Sequence, residues 1–244
     1  MIGRAAMVQA AELALMTALA AGAPGRLVGG GSDSESGVLR SANAHTAQAG
    51  VRPVLLVHGF GGTKSSWSVI ARALSARGLT VDTITYKPFG TSVEQLADRL
   101  IAAVTRILSQ TGADKVHLVG HSLGGVVIAQ AIASGRLAGQ IDTVVTLGSP
   151  FRGSPWATLL PFGAVARALR EGSPQLRRLA SAPVPDGVRW LAFTATLDMI
   201  VPGLRSVPAH TRVETITVGG VGHFGMLLSW QVVGRVVAAL HAHG

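Results

Sequence analysis

The chain has 244 residues, of which 48% are apolar and 14% charged, so it is long enough for one α/β domain with a substantial core and too apolar to be disordered. The formal net charge is +9, but the sequence has no basic run interleaved with aromatic residues and no zinc-finger spacing, which argues against nucleic acid as a partner. Cysteine is absent, which excludes disulfides, thiol chemistry and thiolate metal sites within this sequence.

The first 23 residues are apolar and rich in alanine, and two interpretations of them stay open. Arg4 and the small residues between Ala18 and Ala23 resemble a signal peptide with its cleavage site. Glu12 interrupts the apolar run, which argues against a clean secretory segment and against a membrane span. The other interpretation is a helix docked on the rest of the protein. Its docked side would carry the apolar residues Ile2, Ala5, Ala6, Val8, Ala10, Leu13, Leu15 and Met16.

Residues 24–50 are rich in Gly, Ser and Ala, and they include the flexible hinge Gly29-Gly30-Gly31-Ser32. This composition predicts a linker. We therefore expect an N-terminal apolar helix and linker over residues 1–50 and the main folded domain over residues 51–244. The compartment stays open between secretion or association with the cell envelope and, as the alternative, the cytoplasm.

The main folded domain begins with a predicted strand at Pro53–Val57, which is apolar at every position. Such a run is typical of a strand buried on both faces of a parallel sheet. The glycine-rich loop His58-Gly59-Phe60-Gly61-Gly62 follows, and its backbone can approach a ligand closely. The N–H group of Phe60 is a candidate donor for an oxyanion hole, although an ordinary turn between strand and helix is the alternative for the loop taken alone.

The next elements alternate between helix and strand. Ser65 or Ser66 is expected to cap a helix over Trp67–Ala76, and a strand is expected over Thr80–Tyr86. Thr91-Ser92-Val93-Glu94 predicts a capping box that opens a long amphipathic helix, which closes near Gly112.

The sequence G-x-S-x-G occurs as Gly120-His121-Ser122-Leu123-Gly124, between a strand-like run at Lys115–Val119 and a helix-like run at Val126–Ala133. A sharp turn between strand and helix exposes the serine hydroxyl, and glycine two residues before and after it removes side chains that would clash. The helix starting at this turn directs free backbone N–H groups at an anion beside the serine. We expect the N–H of Leu123 to be the second oxyanion donor.

A strand is predicted at Ile141–Leu147, after which residues 148–154 read Gly-Ser-Pro-Phe-Arg-Gly-Ser. From about 155 to 187 the strand–helix alternation breaks, which predicts an inserted helical cap. Whether the cap is a mobile lid with an apolar underside for an acyl chain, or a fixed helical excursion with a solvated basic face, stays open. Its apolar residues are Trp156, Leu159, Leu160, Phe162, Val165, Leu169 and Leu176, and its basic residues are Arg167, Arg170, Arg177 and Arg178.

Two further strands, at Val188–Thr196 and Arg212–Val218, precede a closing helix over Leu227–His241. Asp198 follows the first of these strands and His223 follows the second. The alternation of strands and helices predicts the α/β class, with a mostly parallel central sheet and helices on both faces.

Ser122, Asp198 and His223 have the chain order nucleophile, acid, base, and each follows the end of a predicted strand, where an α/β sheet places its site. A serine hydroxyl needs a base at neutral pH, and the base needs an orienting carboxylate. The rival acids are Asp142 and Glu214 at strand starts, and Glu171 and Asp186 in or just after the cap. The rival bases are His58 and His121 in other loops, His210 before the last strand, and His241 and His243 in the tail.

Over roughly residues 51–244 the chain resembles the bacterial α/β-hydrolase lipases and esterases. The matching segments are Val57–Gly62, Gly120–Gly125, the 148–154 segment, Asp198 with Ile200-Val201-Pro202, and Val221-Gly222-His223. The resemblance implies the α/β-hydrolase fold with a small cap, and Ser122 as nucleophile, His223 as base and Asp198 as its orienting acid. It also implies an oxyanion hole from Phe60 and Leu123, and no cofactor or metal. Arg152 stands where relatives often carry histidine, a departure that bears on loop contacts and substrate preference.

The resulting hypothesis is a serine hydrolase of carboxylic esters, a lipase or acyl esterase that works through an acyl-enzyme. The expected substrate contacts are His58, Gly59, His121, Trp156, Leu159 and Phe162. An acyltransferase, thioesterase or polyester depolymerase with the same triad, or a non-catalytic lipid-binding relative, are the alternatives. The expected partner is an acyl ester or lipid, and peripheral contact with a membrane or lipid surface is a further hypothesis. The oligomeric state is not determined by the sequence.

Overall fold

The computed structural model describes residues 3–20, 51–159, 163–210 and 212–241. Within them, six strands form one parallel sheet in the order β2-β1-β3-β4-β5-β6. The strands are β1 (Val54–Val57), β2 (Val81–Ile84), β3 (Val116–His121), β4 (Ile141–Leu147), β5 (Arg189–Ala195) and β6 (Val213–Val218). The α-helices are α1 (Arg4–Ala20), α2 (Ser68–Ser75), α3 (Val93–Thr111), α4 (Leu123–Ala133), α5 (Trp156–Leu159), α6 (Ala164–Ala168), α7 (Pro174–Ser181) and α8 (Trp230–His241). This architecture confirms the predicted α/β fold class.

The strand order changes direction at β1, because the chain first goes outward to β2 and then returns to place β3 on the other side of β1. Crossover connections leave a crevice at such a switch point, outside the carboxyl ends of the strands. The loop after β1 and the loop after β3 therefore meet at the natural ligand-binding edge of the sheet. These two loops contain Phe60 and Ser122.

Both faces of the sheet are buried, which explains the uninterrupted apolar run of β1. Leu55 and Val57 belong to one core cluster, together with the apolar sides of α3 and α4. Val54 and Leu56 belong to the second cluster, together with α2 and α8. Side chains of a strand alternate between its two faces, so a strand covered on both sides has no position for a polar residue.

The N-terminal end of α4 packs directly against the backbone of β1. A Cβ added at Gly124 would overlap the Val57 carbonyl oxygen and would lie 2.9 Å from the carbonyl oxygen of His58. A Cβ at Gly120 would lie 2.7 Å from the backbone nitrogen of Gly125. Real Cβ atoms do not approach backbone atoms so closely, and both glycines are therefore required by the packing of the helix on the sheet.

We expect Gly124→Ala to lower the free energy of unfolding by about 3 kcal/mol, because the new methyl group meets backbone that cannot move aside. Gly234→Ala is the matched control, since Gly234 lies exposed within α8 and has nothing near its Cβ position. That replacement is expected to stabilise the protein by about 0.5–1 kcal/mol through helix propensity. Urea unfolding of the three proteins measures both effects, and equal stability of the two variants would contradict this account of α4 packing.

Several element boundaries differ from the sequence prediction. The capping box of α3 is formed by Ser92 and Gln95, one residue later than predicted, with the Gln95 N–H donating to the Ser92 hydroxyl. A short 3-10 turn at Lys64–Trp67 precedes α2, so Ser65 and Ser66 lie inside that turn and do not cap the helix. Another 3-10 turn at Phe224–Leu227 precedes α8. At α3, side-chain pairing chose between neighbouring polar residues that sequence propensity ranks alike.

The excursion between β4 and β5 contains the three short helices α5, α6 and α7. Val165, Leu169 and Leu176 are buried in the same core cluster as α3 and α4. These side chains are therefore occupied by packing on the domain, and the predicted apolar underside for an acyl chain is wrong at these three positions. The beginning of the excursion is bonded to the loop that carries Asp198.

Helix α1 contacts the rest of the protein through the acidic residue Glu12, with Val8 beside it. Ala5, Ala6 and Ala10 are exposed, whereas Glu12 is only 5% exposed. The prediction that apolar residues coat the docked side is therefore wrong at these three alanines. Among the residues that the structure describes, no helix has both the length and the apolar character needed to cross a membrane. The predicted linker at 24–50 lies outside the described residues.

Candidate functional site

Ser122 occupies the turn between β3 and α4. Its φ is 53° and its ψ is −123°, and among the described residues it is the one non-glycine residue with positive φ. Its N–H donates to the carbonyl of Leu147 at the end of β4, at 2.9 Å. A side chain in this conformation is strained, and the strain is held by the packing of α4 on the sheet. The arrangement lifts the hydroxyl above the carboxyl edge of the sheet.

Asp198 and His223 form a buried hydrogen-bonded pair. The Nδ1 atom of His223 lies 2.8 Å from Oδ2 of Asp198. The other oxygen, Oδ1, accepts the N–H groups of Ile200 at 2.8 Å and Val201 at 2.7 Å. An ionised carboxylate only accepts hydrogen bonds, so Nδ1 carries the proton and Nε2 of His223 is left with a free lone pair.

Close backbone approaches lie beside Ser122 and beside the Asp198–His223 pair. A Cβ added at Gly59 would lie 2.8 Å from the Cβ of Ser122 and 3.2 Å from the ring of His121. A Cβ at Gly148, where φ is +57°, would lie 3.0 Å from both Oδ2 of Asp198 and Nδ1 of His223. The predicted substrate contact Gly59 therefore lies directly against the serine, in the loop that follows β1.

His58 was expected to contact the substrate, but its side chain is buried and bonded within the protein. Nε2 accepts the N–H of Tyr86 at 3.3 Å, and Nδ1 donates to the Gly59 carbonyl at 2.9 Å. The rings of His58 and Tyr86 stack at 4.2 Å, and the Tyr86 hydroxyl donates to the His58 carbonyl. Burial lowers the pKa of His58, which agrees with a neutral ring. His58 thus holds the loop in place instead of facing a ligand.

His121 is likewise a supporting residue instead of a substrate contact. It is buried, and its Nε2 donates to the carbonyl oxygen of His223 at 3.1 Å. The two imidazole rings lie 4.7 Å apart. Burial is the main cause that lowers the pKa of His121 well below its ordinary value, and the proximity of His223 lowers it further. A neutral His121 can therefore orient the His223 backbone without adding a charge beside it.

The two predicted oxyanion donors come from different elements, the loop after β1 and the first turn of α4. Leu123 is the first residue of α4, so its N–H has no acceptor inside the helix. Phe60 is half-buried in the loop after β1, with its ring packed edge-on against Phe89 at 5.1 Å. Both belong to the loops that meet at the switch point of the sheet.

The start of the excursion is tied to the loop that carries Asp198. The Nε1 atom of Trp156 donates to the Met199 carbonyl at 3.0 Å, and the Ser154 hydroxyl donates to the Ile200 carbonyl. Trp156 is therefore adjacent to the site, as predicted, and is half-buried. The predicted contact Leu159 is the last residue of α5, and Phe162 lies outside the described residues.

The rival acids are paired with arginines away from His223. Asp142, near the start of β4, lies 3.3 Å from Arg52. The remaining pairs are Glu214 with Arg189, Glu171 with Arg205, and Asp186 with Arg212. Among the rival bases, His210 lies before β6 and His241 ends α8, while His243 is not among the described residues. The structure thus brings Asp198 to His223 and leaves the rival acids engaged elsewhere.

One polar residue near the site was not predicted. Glu12 of α1 accepts the N–H of Phe224 at Oε1, at 3.1 Å, and the N–H of Met199 at Oε2, at 3.4 Å. The sequence analysis treated Glu12 only as an interruption of an apolar segment. A single acid in an otherwise apolar helix is costly to bury, and that cost was the available signal that it binds something.

A family model for the alpha/beta hydrolase family matches residues 54–237 of the chain. Triacylglycerol lipases of Pseudarthrobacter phenanthrenivorans and Burkholderia plantarii are each 35% identical over 123 residues. Those matches cover 47% of this chain and only 38% and 34% of the two relatives. The chain therefore spans little more than a third of the curated relatives that it matches.

Solved structures show the same architecture at low sequence identity. A lipase of Bacillus licheniformis in its mature form superposes with a TM-score of 0.66, at 18% identity, over 76% of this chain and 91% of that one. Lipase B of Aspergillus fumigatus has a TM-score of 0.68, at 18% identity, over 83% of this chain and 55% of that one. Identities this low establish the fold alone, whereas the family model covers most of this chain. The chain belongs to the alpha/beta hydrolase family.

Proposed function

We propose that this protein is a serine hydrolase that cleaves carboxylic esters with apolar acyl groups, as a lipase or acyl esterase. The observation that carries the proposal is the buried Asp198–His223 hydrogen bond beside the strained turn of Ser122. This combination activates a serine hydroxyl by a general base whose tautomer is held by a carboxylate. The similarity to triacylglycerol lipases supports the same chemistry.

The proposed reaction has two halves. The Oγ atom of Ser122 attacks the ester carbonyl carbon while Nε2 of His223 takes its proton, and the N–H groups of Phe60 and Leu123 stabilise the resulting oxyanion. The carbon–oxygen bond to the alcohol breaks, and His223 returns the proton to the alcohol. Water then attacks the acyl-enzyme, again losing a proton to His223, and the carboxylic acid leaves as Ser122 regains its hydrogen.

Apolar side chains around the site support an apolar acyl group as the preferred substrate. Phe89, which packs on Phe60, is 70% exposed, and Met199, which follows Asp198, is 39% exposed. Large apolar side chains left in solvent beside a catalytic site favour contact with a hydrocarbon chain. Each buried methylene adds about 0.8 kcal/mol to transfer from water, so longer acyl chains gain binding energy as they cover this surface.

The proposed specificity is tested with p-nitrophenyl esters from acetate to palmitate. We expect kcat/KM to rise by about threefold or more per added methylene until the apolar surface is covered. Phe89→Ser should flatten this rise, while the solvent-facing control Leu204→Ser leaves it unchanged. A maximum at acetate, with a steep fall for longer chains, would contradict the apolar acyl assignment.

Labelling with a fluorophosphonate separates an enzyme from a non-catalytic lipid-binding relative. The probe phosphonylates only an activated serine, so stoichiometric labelling of wild type is expected. Ser122→Ala should remain unlabelled. A wild-type protein that binds lipid without reacting with the probe would overturn the proposed enzymatic function.

A further inference from the structure

Helix α1 reaches the candidate site through one buried carboxylate. Glu12 accepts one N–H from the loop of the candidate acid and one from the loop of the candidate base. The first donor, Met199, directly follows Asp198, and the second, Phe224, directly follows His223. A single side chain from outside the sheet therefore holds the two loops whose spacing sets the Asp198–His223 hydrogen bond.

The contact with Phe224 acts on the peptide group that joins it to His223. At one end of this peptide group, the carbonyl oxygen of His223 accepts a hydrogen bond from His121 at 3.1 Å. At the other end, the N–H of Phe224 donates to Glu12 at 3.1 Å. The peptide plane is therefore fixed by a hydrogen bond at each end. Its orientation sets the position of the His223 Cα atom, from which the imidazole side chain extends.

The loop of Asp198 is held in a similar way. The N–H of Met199 donates to Glu12, and its carbonyl accepts from Trp156 at 3.0 Å. The carboxylate of Asp198 itself is occupied by Ile200, Val201 and His223. Without Glu12, two N–H groups beside the acid–base pair would lose their acceptor.

We propose that Glu12 is a positioning residue for the Asp198–His223 pair, so that α1 forms part of the catalytic unit. The inference rests on the proposed function, because the pair is taken as the acid and base of the serine. Glu12 acts through the backbone of the two loops and does not touch the reacting atoms. Bonds that fix both loops keep Nε2 of His223 at the distance needed for proton transfer, and small displacements in such sites reduce turnover strongly.

Stability alone does not explain a carboxylate in this position. Burial is the main cause that raises the pKa of Glu12 above its ordinary 4.5, and repulsion from Asp198 raises it further. The two N–H bonds and His223 lower the pKa, but they offset only part of this increase. A raised folded-state pKa gives stability that is fully present below pH 4.5 and is lost as the pH rises through the folded-state pKa. The titratable groups near Glu12 are Asp198 and His223, with neutral His121 behind them. Ionised Glu12 therefore costs folding free energy at neutral pH.

Gly222 provides a way to displace the carboxylate without changing its charge. The nearest atoms to a Cβ at Gly222 all belong to α1, with Cδ of Glu12 at 2.6 Å and Cγ1 of Val8 at 2.9 Å. Gly222→Ala therefore pushes Glu12 out of its position. If the position of Glu12 matters, this replacement should reproduce the effect of removing the carboxylate.

The kinetic test compares Glu12→Ala, Glu12→Gln, Gly222→Ala and the double variant Glu12→Ala/Gly222→Ala on p-nitrophenyl butyrate. We expect kcat to fall by about 10- to 100-fold in each, with KM changed less than about twofold. The double variant should lose no more than the single variants, because both disturb one contact. Glu214→Gln, which removes an exposed carboxylate paired with Arg189, is the matched control and should keep wild-type kcat. Fully additive losses, or an unchanged kcat in the Glu12 variants, would overturn the inference.

A second readout separates positioning from general loss of structure and from failure of the proposed function. The NMR signal of the His223 Nδ1 proton reports the hydrogen bond to Asp198 directly, whether or not the protein hydrolyses esters. We expect this signal to shift or broaden in Glu12→Gln, while the urea midpoint at pH 8 stays at or above that of wild type. If wild type does not hydrolyse esters but its His223 proton signal differs from that of Glu12→Gln, the ester hydrolase is refuted and the positioning role is retained. If wild type is active and the signal is the same in wild type and Glu12→Gln, the role of Glu12 is refuted.

Discussion

Ser122→Ala is expected to lower kcat for p-nitrophenyl butyrate by about 10⁴- to 10⁶-fold, to a rate set by the oxyanion donors and substrate binding alone. The expectation follows from the proposed mechanism, in which no other group can form the acyl-enzyme. Ser122 stands at the one turn where a strained serine, the first N–H of α4 and the Gly59 backbone meet. The measurement is a steady-state rate with active-site titration of the wild type.

The fold should survive this replacement. Alanine is smaller than serine, but it retains the unfavourable φ of 53° at this position. We expect the free energy of unfolding to change by less than about 1 kcal/mol. Ser149→Ala is a matched serine control, since Ser149 is buried beneath Gly125 and takes no part in the proposed reaction. Near-wild-type turnover by Ser122→Ala, with the remaining activity sensitive to fluorophosphonate, would assign the nucleophile to a different serine.

Asp198→Asn is expected to lower kcat by about 10³- to 10⁴-fold through a change of tautomer at His223. The amide oxygen of the introduced asparagine would take the place of Oδ1, because that position accepts two backbone N–H groups. The amide NH₂ would then face Nδ1 of His223, at the position where Oδ2 now lies 2.8 Å away. Nδ1 would have to accept, which moves the ring proton to Nε2 and leaves no base for the serine.

Asp186→Asn is the control for this prediction, because Asp186 was a rival acid and is exposed beside Arg212. It should retain wild-type turnover. Asp198→Asn should keep the urea midpoint of wild type, because the introduced amide oxygen still accepts the two backbone N–H groups. A loss of turnover accompanied by a lowered unfolding midpoint would indicate damage to the loop instead of a change of tautomer.

The sequence by itself determined the fold class and the three candidate catalytic residues. The apolar run of β1 and the glycines around Ser122 are local signals, because strand burial and a tight strand–helix turn each restrict the residue at a given position. The position of Asp198 directly after a predicted strand added a signal that the rival acids lacked, because those acids lie at strand starts or in or just after the cap. The structure places Asp198 and His223 in direct contact.

Only the tertiary structure decided what surrounds these residues. His58 and His121 follow strand ends just as a ligand contact would, and only their partners Tyr86 and His223 show that both rings are used inside the protein. The apolar residues of α6 and α7 could have lined a substrate channel by sequence alone, but they pack on α3 and α4.

The placement of α1 shows most clearly that local sequence did not decide these contacts. Ala5, Ala6 and Ala10 are exposed and Glu12 is buried, the reverse of what hydropathy predicts for the docked side of a helix. Hydropathy scores each residue against water, whereas the burial of Glu12 depends on two N–H groups about 190 and 210 residues away in the chain, on Met199 and Phe224. Local sequence therefore determined the strands, the serine turn and the chain order of the candidate catalytic residues. Long-range hydrogen bonds, which no local pattern encodes, decided which polar side chains hold them in place.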